Sequence, residues 1–481
     1  MTISAETTAR APSRRCHLQQ VWLLLVCALV PLACATPKRE KLRLEAYSWW
    51  TQPSERRAFN AVLDIYNQAH DDSEADNEVT GEISADAVRA TLTARLLAEA
   101  PPSTFQANAG ADLLRWTAMD TTQSILTSSS RIASIQGLFE RSGLDHALPE
   151  ELKRALQAGP SLNGLPYAVP LNIHRLNLIY YNRSALDNYV ARTGQSFLEP
   201  AVLCPPDVAR LLDVPDEKLD VTIAVGTKDS FTLTLFALEA MLPAVAGRTT
   251  YGELPGGTLY DQLFLGKLAE IEWHGPVLRA LQCVQYLSRS FLRDSHLSWA
   301  DALHRVKDGD ADFSVMGDWA NGELEEALRI GTVDANPFPG SETTFVFPSD
   351  TFPLPSAAQH TTESEDLLWT LAMPKAQLKF SREKGSIPAR SDISLEEVRR
   401  ELGERAAQTK ADFDSLEIHK SIATSGLLPP YYPSDLSSRL STMTAEGASR
   451  RSIEDVISLL RDALPLLRRW QNRIAQEQQA P

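Results

Sequence analysis

Short apolar runs alternate with amphipathic stretches along most of the chain. Leu42-Arg43-Leu44-Glu45-Ala46-Tyr47 alternates apolar and polar side chains, the period of a strand with one buried face. From Glu55 to His70 the apolar positions Phe59, Val62, Leu63 and Tyr66 recur at three- and four-residue steps, which predicts a helix. The couplet then repeats: Val79–Ile83 reads as extended, Ala85–Ala98 as helical and Thr104–Ala107 as extended. Helical patterning with polar breaks fills the stretch from Ala109 to Gly159. Extended runs follow at Leu165–Pro170, Leu176–Tyr181 and Val221–Val225. Helices are predicted over Phe231–Leu242, Val277–Arg293 and Ser298–Lys307, strands over Phe313–Met316 and Phe345–Phe347, and mostly helix after Glu363. Strands alternating with helices imply an α/β fold with a mostly parallel sheet.

Two stretches need separate comment. The acidic run Asp71–Asn77 reads as a solvated loop. From Ser452 to Gln476, Ile453, Val456, Ile457, Leu459, Leu460, Leu464, Leu467 and Trp470 form a long apolar stripe, which core packing explains better than a docked partner. Pro465 lies inside this pattern and is expected to kink or break the helix.

The first 33 residues read as a segment apart from the folded body. Arg10, Arg14 and Arg15 precede the apolar run Val21–Leu32, and the small Ala33 precedes Cys34, the order of a secretory signal peptide. The run is shorter than the roughly 20 residues a spanning helix needs. Pro31-Leu32-Ala33-Cys34 resembles a bacterial lipobox, with Pro31 where leucine is usual. That resemblance implies a lipid on Cys34 and a short tether over 34–41. Removing 1–33 takes away three Arg and one Glu, so the net charge of −15 becomes −17. Such acidity weighs against nucleic-acid partners. Of the five cysteines, Cys16 and Cys27 leave with the leader. Cys204 and Cys283 remain; an exported chain could pair them, though two buried free thiols is the reading favoured without geometry. No Cys/His spacing suits zinc, and nothing points to a metal or cofactor.

Three loops carry candidate binding chemistry. Ser48-Trp49-Trp50 leads through Gln52 to Glu55, just beyond the first strand. Phe105-Gln106-Ala107-Asn108 ends another strand, and Gly317-Asp318-Trp319 a third. Ligands of parallel α/β sheets sit beyond the carboxyl ends of strands. Aromatic faces beside carboxylates and amides suit a polyhydroxylated ring, whose C–H faces stack while its hydroxyls hydrogen-bond. Each loop also has a plainer explanation: core packing for the tryptophans, turn polarity around Gln106, and helix capping by Asp318.

Taken in order, these segments and several others resemble the carbohydrate-binding group of extracellular solute-binding proteins, family 1, that serve ABC importers. The residues carrying the likeness are Leu165–Arg175, Leu178–Arg183, Ser298–Ala302, Val315–Ala320, Pro337–Gly340, Ser349–Phe352 and Lys384–Arg390. Val315–Ala320 and the last two segments resemble the glucose/mannose binders in particular. The resemblance implies a two-lobed periplasmic-binding-protein fold, each lobe a mostly parallel sheet flanked by helices, with about three hinge crossings near Ala168–Asn172, Asp312–Gly317 and Phe352–Ser356. Lobe 1 is expected over 42–168 and 317–354, lobe 2 over 169–316 and 355–481. Expected ligand contacts are Trp49, Trp50, Glu55, Gln106, Asn108, Asn172, His174, Arg175, Asp318, Trp319, Asp350, Lys384 and Arg390. By the residues alone, His174 would more often be structural and Arg390 a salt-bridge residue.

Two segments depart from the family pattern. Lys228–Phe231 stands where a tryptophan is frequent, leaving Phe231 as the weaker stacker, and Phe197–Pro200 lacks the usual Thr-Trp pair. The implied function is the receptor of a sugar importer, with a sugar, permease subunits and a lipid-bearing membrane as partners, a monomeric state, and no catalysis. The alternatives are a secreted glycoside hydrolase, for which Glu55 and Asp318 could supply the two carboxylates, and a receptor for oligosaccharides or polyols that feeds a sensor.

Overall fold

The computed structural model describes residues 41–78, 85–110, 112–113, 116, 130–156, 165–214, 216–246, 270–294, 297–421 and 432–477. The leader, Cys34 and the extended run read at Val79–Ile83 lie outside them. Strand β1 (Leu42–Tyr47) buries Leu44 and Ala46, as its alternation requires. Helix α1 (Pro53–Ala69) opens with proline, whose missing N–H would have no helical partner there. It buries Phe59, Val62, Leu63 and Tyr66 along one face. The acidic run is not a loop: Ser73–Glu78 forms β2, parallel to β1. Its alternation explains this, because Ser73 and Ala75 turn inward while Asp76 pairs with Arg43 at 2.6 Å on the outer face. Charge on an edge strand also discourages further pairing. Helix α2 (Ala85–Leu97) leads to β3 (Thr104–Phe105), which pairs with β1 on its other side in the same parallel sense.

The remaining sheets are small and mixed rather than mostly parallel. Strands β4 (Ala107–Asn108), β5 (Ile132–Ala133), β6 (Ala168–Pro170), β7 (Asn172–Ile173) and β8 (Leu178–Asn182) follow. The predicted strand at Val221–Val225 contributes only isolated parallel bridges from Ile223 to Phe291 and Phe313. The expected helix from Phe231 is α-helical to Thr234 and then a π-turn over Leu235–Met241. Next come α3 (Glu270–Ser288), α4 (Trp299–Asp308), β9 (Phe313–Met316) and the one-turn α5 (Ala320–Glu323). Ser298 caps α4 by accepting from the Asp301 N–H at 3.1 Å. After these lie β10 (Val333–Pro337), β11 (Thr344–Phe347), β12 (Asp350–Pro355), α6 (Pro374–Lys384), β13 (Ile387–Pro388), α7 (Glu404–Ser415), β14 (Glu417–Lys420), α8 (Tyr432–Thr444) and α9 (Arg451–Glu477). Antiparallel β10-β8-β9 forms one sheet, and β12 gathers β4, β5 and β6 antiparallel. β11 and β14 pair in parallel, β13 and β7 antiparallel. Helix α9 runs through Pro465 without a break, its stripe from Ile453 to Leu464 buried in a core.

Two large apolar cores give the molecule its two lobes. The first gathers Leu44, Phe59, Phe105, Val169 and Ile173, then Phe352, Leu368, Phe380 and Phe413. The second gathers Leu176, Tyr180, Phe236, Val284, Phe313, Trp319, Phe338, Leu440 and Ile457. Among the described residues the chain passes between them three times: between Ile173 and Leu176, at β11, and between Phe413 and Leu436. In β11, Phe345 and Phe347 enter the first core while Val346 enters the second. The partition drawn from sequence is therefore redrawn. Trp319–Phe338 belongs with the second lobe, and Leu367–Phe413 with the first, because α6 packs along α1 and sets Phe380 against Trp50. Asp312–Gly317 accordingly lies within the second lobe and is not a crossing. Cys204 and Cys283 are disulfide-bonded, with Cα atoms 5.1 Å apart, in place of the two free thiols favoured at first.

Candidate ligand-binding site

The first crossing, the ends of β9 and β3, and the start of β12 converge on one buried polar cluster. Asn172 comes from β7, His174 from the crossing that follows it, Gln106 from the link between β3 and β4, Asp318 from the turn after β9, and Asp350 from the first position of β12. All five are buried. Buried polar groups need partners, and these supply one another. His174 Nδ1 hydrogen-bonds to Asp318 Oδ1, and its Nε2 lies 3.2 Å from Asp350 Oδ2. Asn172 Nδ2 is 2.8 Å from His174 Nε2 and 3.1 Å from Asp350 Oδ2. Gln106 Nε2 donates to Asp350 Oδ1 at 2.8 Å, while its Oε1 accepts from the Trp49 N–H at 3.1 Å. Asp318 Oδ2 accepts from the Arg175 N–H at 3.0 Å. One imidazole thus touches a carboxylate from each lobe.

The electrostatics follow from that placement. Burial opposes a charge on His174, yet Asp318 and Asp350 outweigh it and hold the imidazole above its ordinary pKa. Burial likewise opposes charge on Asp350, but His174 and Lys384 prevail and keep it below the usual carboxylate range. At Asp318 burial wins, so that carboxyl sits above its ordinary value despite His174. Nε2 of a neutral His174 can accept from Asn172, whereas a charged ring donates to Asp350.

Aromatic surface adjoins the cluster from the second lobe. The Trp319 ring stands edge-on to His174 with centroids 5.3 Å apart, and contacts Phe231 at 5.9 Å and Trp299 at 6.4 Å. A Cβ on Gly317 would fall within the Trp319 indole, so glycine is what lets this ring fold back over its own turn. Asp229, which sequence reasoning passed over, accepts the Trp299 N–H at 2.7 Å, and burial raises its pKa. Its only sequence signal was its place beside Phe231 in the departing segment.

The other expected contacts divide. Glu55 pairs with Lys384 across the start of α1, and Lys384 Nζ lies 5.5 Å over the Trp50 ring. Trp50 itself is 1% exposed and packs on Phe59, Phe352 and Phe380. It is a core residue, not a stacking surface. Trp49 lies under Arg89 at 4.8 Å, and Arg89 pairs with Asp112, which also accepts the Asn108 N–H. Trp49 and Asn108 are thus joined to the cluster's margin. Two arginines point elsewhere. Arg175 sends its guanidinium to Asp412 and the Thr344 carbonyl, leaving only its backbone at the cluster. Arg390 is taken up by Asp392 and the carbonyls of Ser142 and Ala372. Both tie elements together, as a buried guanidinium with several acceptors must. Ser386, within the expected Lys384–Arg390 segment, also reaches the cluster, its Oγ 3.2 Å from Asn172 Nδ2.

Two cavities lie elsewhere, in the second lobe. One of about 490 Å³ is lined by Leu203, Met241, Leu278 and Phe338, and one of about 950 Å³ by Thr222, Arg289 and Arg450. Among the described residues no group of His, Cys, Asp and Glu is disposed to hold a metal ion. Nor is any helix among them long and apolar enough to cross a membrane.

Comparison with known proteins agrees with this architecture. A family model of bacterial extracellular solute-binding proteins matches residues 61–407. An uncharacterised ABC transporter extracellular-binding protein of Pyrococcus horikoshii is 24% identical over 90% of this chain and 91% of its own. A probable sugar-binding periplasmic protein of Rhizobium meliloti is 26% identical over 75% of this chain and 80% of its own. Among solved structures, the bacterial solute receptor AcbH, described as preferring β-D-galactopyranose, superposes with a TM-score of 0.67. It covers 89% of this chain and 100% of its own at 13% identity, a likeness of fold.

Proposed function

Because the chain belongs to the bacterial extracellular solute-binding protein family, we propose that it captures a sugar between its two lobes and delivers it to the permease of an ABC importer. The observation that carries this reading is the convergence of Gln106, Asn172, Asp318 and Asp350 on His174, beside the Trp319 ring, where the two cores meet. Carboxylates and amides are the acceptors and donors that sugar hydroxyls exchange for water, and an indole suits the ring's apolar face. Trp49, Asn108, Glu55 and Lys384 extend the contact surface from the first lobe, and Asp229 with Phe231 from the second. A sugar touching both walls favours the closed arrangement by its differential affinity.

The ligand we favour is glucose or a related monosaccharide, on the segments Val315–Ala320, Ser349–Phe352 and Lys384–Arg390 that resemble glucose/mannose binders. The chain acts as a binder without making or breaking bonds. Glu55 and Asp318, the two carboxylates a hydrolase would need free, are engaged by Lys384 and His174. A signal peptide over 1–33 would direct export, and a lipid on Cys34 would hold the monomer at a membrane surface outside the cytoplasm. Calorimetric titration of the chain from Thr36 with glucose, galactose, mannose, maltose and xylose tests the proposal. Micromolar or tighter binding to one of them is expected. No heat with any, from folded protein, would overturn the monosaccharide assignment and move the ligand to longer oligosaccharides, polyols or a non-sugar solute. Release of nitrophenol from aryl glycosides would favour the hydrolase.

A further inference from the structure

Beside the polar cluster, the one-turn α5 joins the lobes by a second set of contacts. Its Ala320 and the adjoining Leu324 are packed in the second core. Its other side is held by the first lobe. Glu323 Oε1 accepts from the Ser54 N–H at 2.9 Å and also from Ser54 Oγ, at the first turn of α1. The first N–H groups of a helix lack partners within it, and its dipole favours negative charge there. Glu323 supplies that charge from the opposite lobe. Asn321 Nδ2 donates to the Gly385 carbonyl at 3.1 Å, just past α6, while its Oδ1 accepts from the Tyr180 hydroxyl at 2.9 Å.

Backbone packs directly on backbone beside these bonds. A Cβ on Gly322 would strike the Glu383 carbonyl and come within 3.1 Å of both the Lys384 carbonyl and Ser54. Gly385, at φ +85°, would place a Cβ 2.6 Å from Asn321 and 2.9 Å from the Asp318 carbonyl. Neither obstacle is the movable end of a side chain. Two glycines, one from each lobe, therefore set the distance of approach.

We propose that Asn321, Gly322 and Glu323 form a clasp that governs how firmly the lobes close, so that Glu323 tunes solute affinity without touching solute. Closure is an equilibrium, and apparent affinity falls with the fraction of protein in the closed form. The affinity part rests on the sugar-receptor reading above; the closure part rests on the fold alone.

The test measures both parts on the chain from Thr36, comparing wild type with Glu323→Ala, Gly322→Ala and Ser54→Ala. Small-angle scattering without sugar should show a larger radius of gyration for Glu323→Ala and Gly322→Ala, with Ser54→Ala between them and wild type. Titration with whichever panel sugar the wild type binds should show about tenfold weaker binding for Glu323→Ala, the scale of one charge-assisted hydrogen bond. Melting temperatures should stay close to wild type. Unchanged scattering in all three variants would overturn the clasp, and opened lobes with unchanged affinity would overturn its role in tuning. If the wild type binds no panel sugar, the monosaccharide reading fails while scattering still decides the clasp. If Glu323→Ala does not fold, Ser54→Ala carries the same comparison with a smaller expected change.

Discussion

Replacing Asp318 by asparagine keeps the side chain's shape and removes its charge, so it isolates what the carboxylate contributes to the bridge. Both oxygens are engaged, one by His174 Nδ1 and the other by the Arg175 N–H. An amide can offer an acceptor to one of them, and its NH₂ must then face the other donor. One buried N–H is left unpaired, at about 1–3 kcal/mol. Loss of the attraction to a charged imidazole adds about 1.5–3 kcal/mol. The total, roughly 2.5–6 kcal/mol, brackets the value of about 3–5 kcal/mol for removing one partner of a buried ion pair.

The pH dependence of this loss has a definite sign. His174 is held above its ordinary pKa in the folded protein. The stability from its charged form is therefore complete below about pH 6.5, the unfolded value, and fades as pH rises through the folded one. Urea unfolding followed by tryptophan fluorescence should show the widest gap between wild type and Asp318→Asn at pH 6. As pH rises through the folded pKa of His174, the gap should narrow toward the unpaired-donor part alone. A gap below about 1 kcal/mol at pH 6, or one that widens with pH, would refute the bridge as described.

Two further predictions concern the frame around the site. Trp50→Ala should destabilise the fold by about 3–5 kcal/mol in thermal or urea unfolding, the range for an aromatic lost from a packed core. Equal loss of sugar affinity without loss of stability would restore Trp50 as a stacking surface. Replacing both Cys204 and Cys283 by serine frees a loop with a sequence separation of 79, which the chain-entropy relation values at about 4.5 kcal/mol at most. A melting temperature unchanged by the double substitution or by reductant would mean that the bond is not formed.

Local periodicity carried the elements well where one strand or helix faces a single core. The alternation of Leu42–Tyr47 and the stripe from Phe59 to Tyr66 each map onto an observed element. Ser73–Glu78 was harder because charge masked a strand pattern carried only by Ser73 and Ala75. The paired tryptophans show another limit. Composition marks Trp50 as suited either to a ligand or to a core, and only the arrival of Phe352 and Phe380 from the far end of the chain decides for the core. The lobe partition failed for a related reason, since nothing local tells residues 367–413 which core they will join. Gln106, Asn172, His174, Asp318 and Asp350 were all legible as candidates through family likeness. Their bonding to one another was not, because the bonds span up to 244 residues. Glu323 and Ser54, 269 apart, carry no signal in either segment.

β11 has a bearing on how the protein is made. Its successive residues Phe345, Val346 and Phe347 serve different cores, so the strand cannot be assigned to either lobe and neither lobe is complete without it. The first core also waits for Phe413, and the second for the helix that begins at Arg451. A ribosome therefore releases nearly the whole chain before either lobe can close. Excising one lobe as an autonomous fragment would strip alternate side chains of β11 of their cover. Folding should accordingly be a late event of the entire polypeptide, with aggregation of truncated products as its characteristic failure.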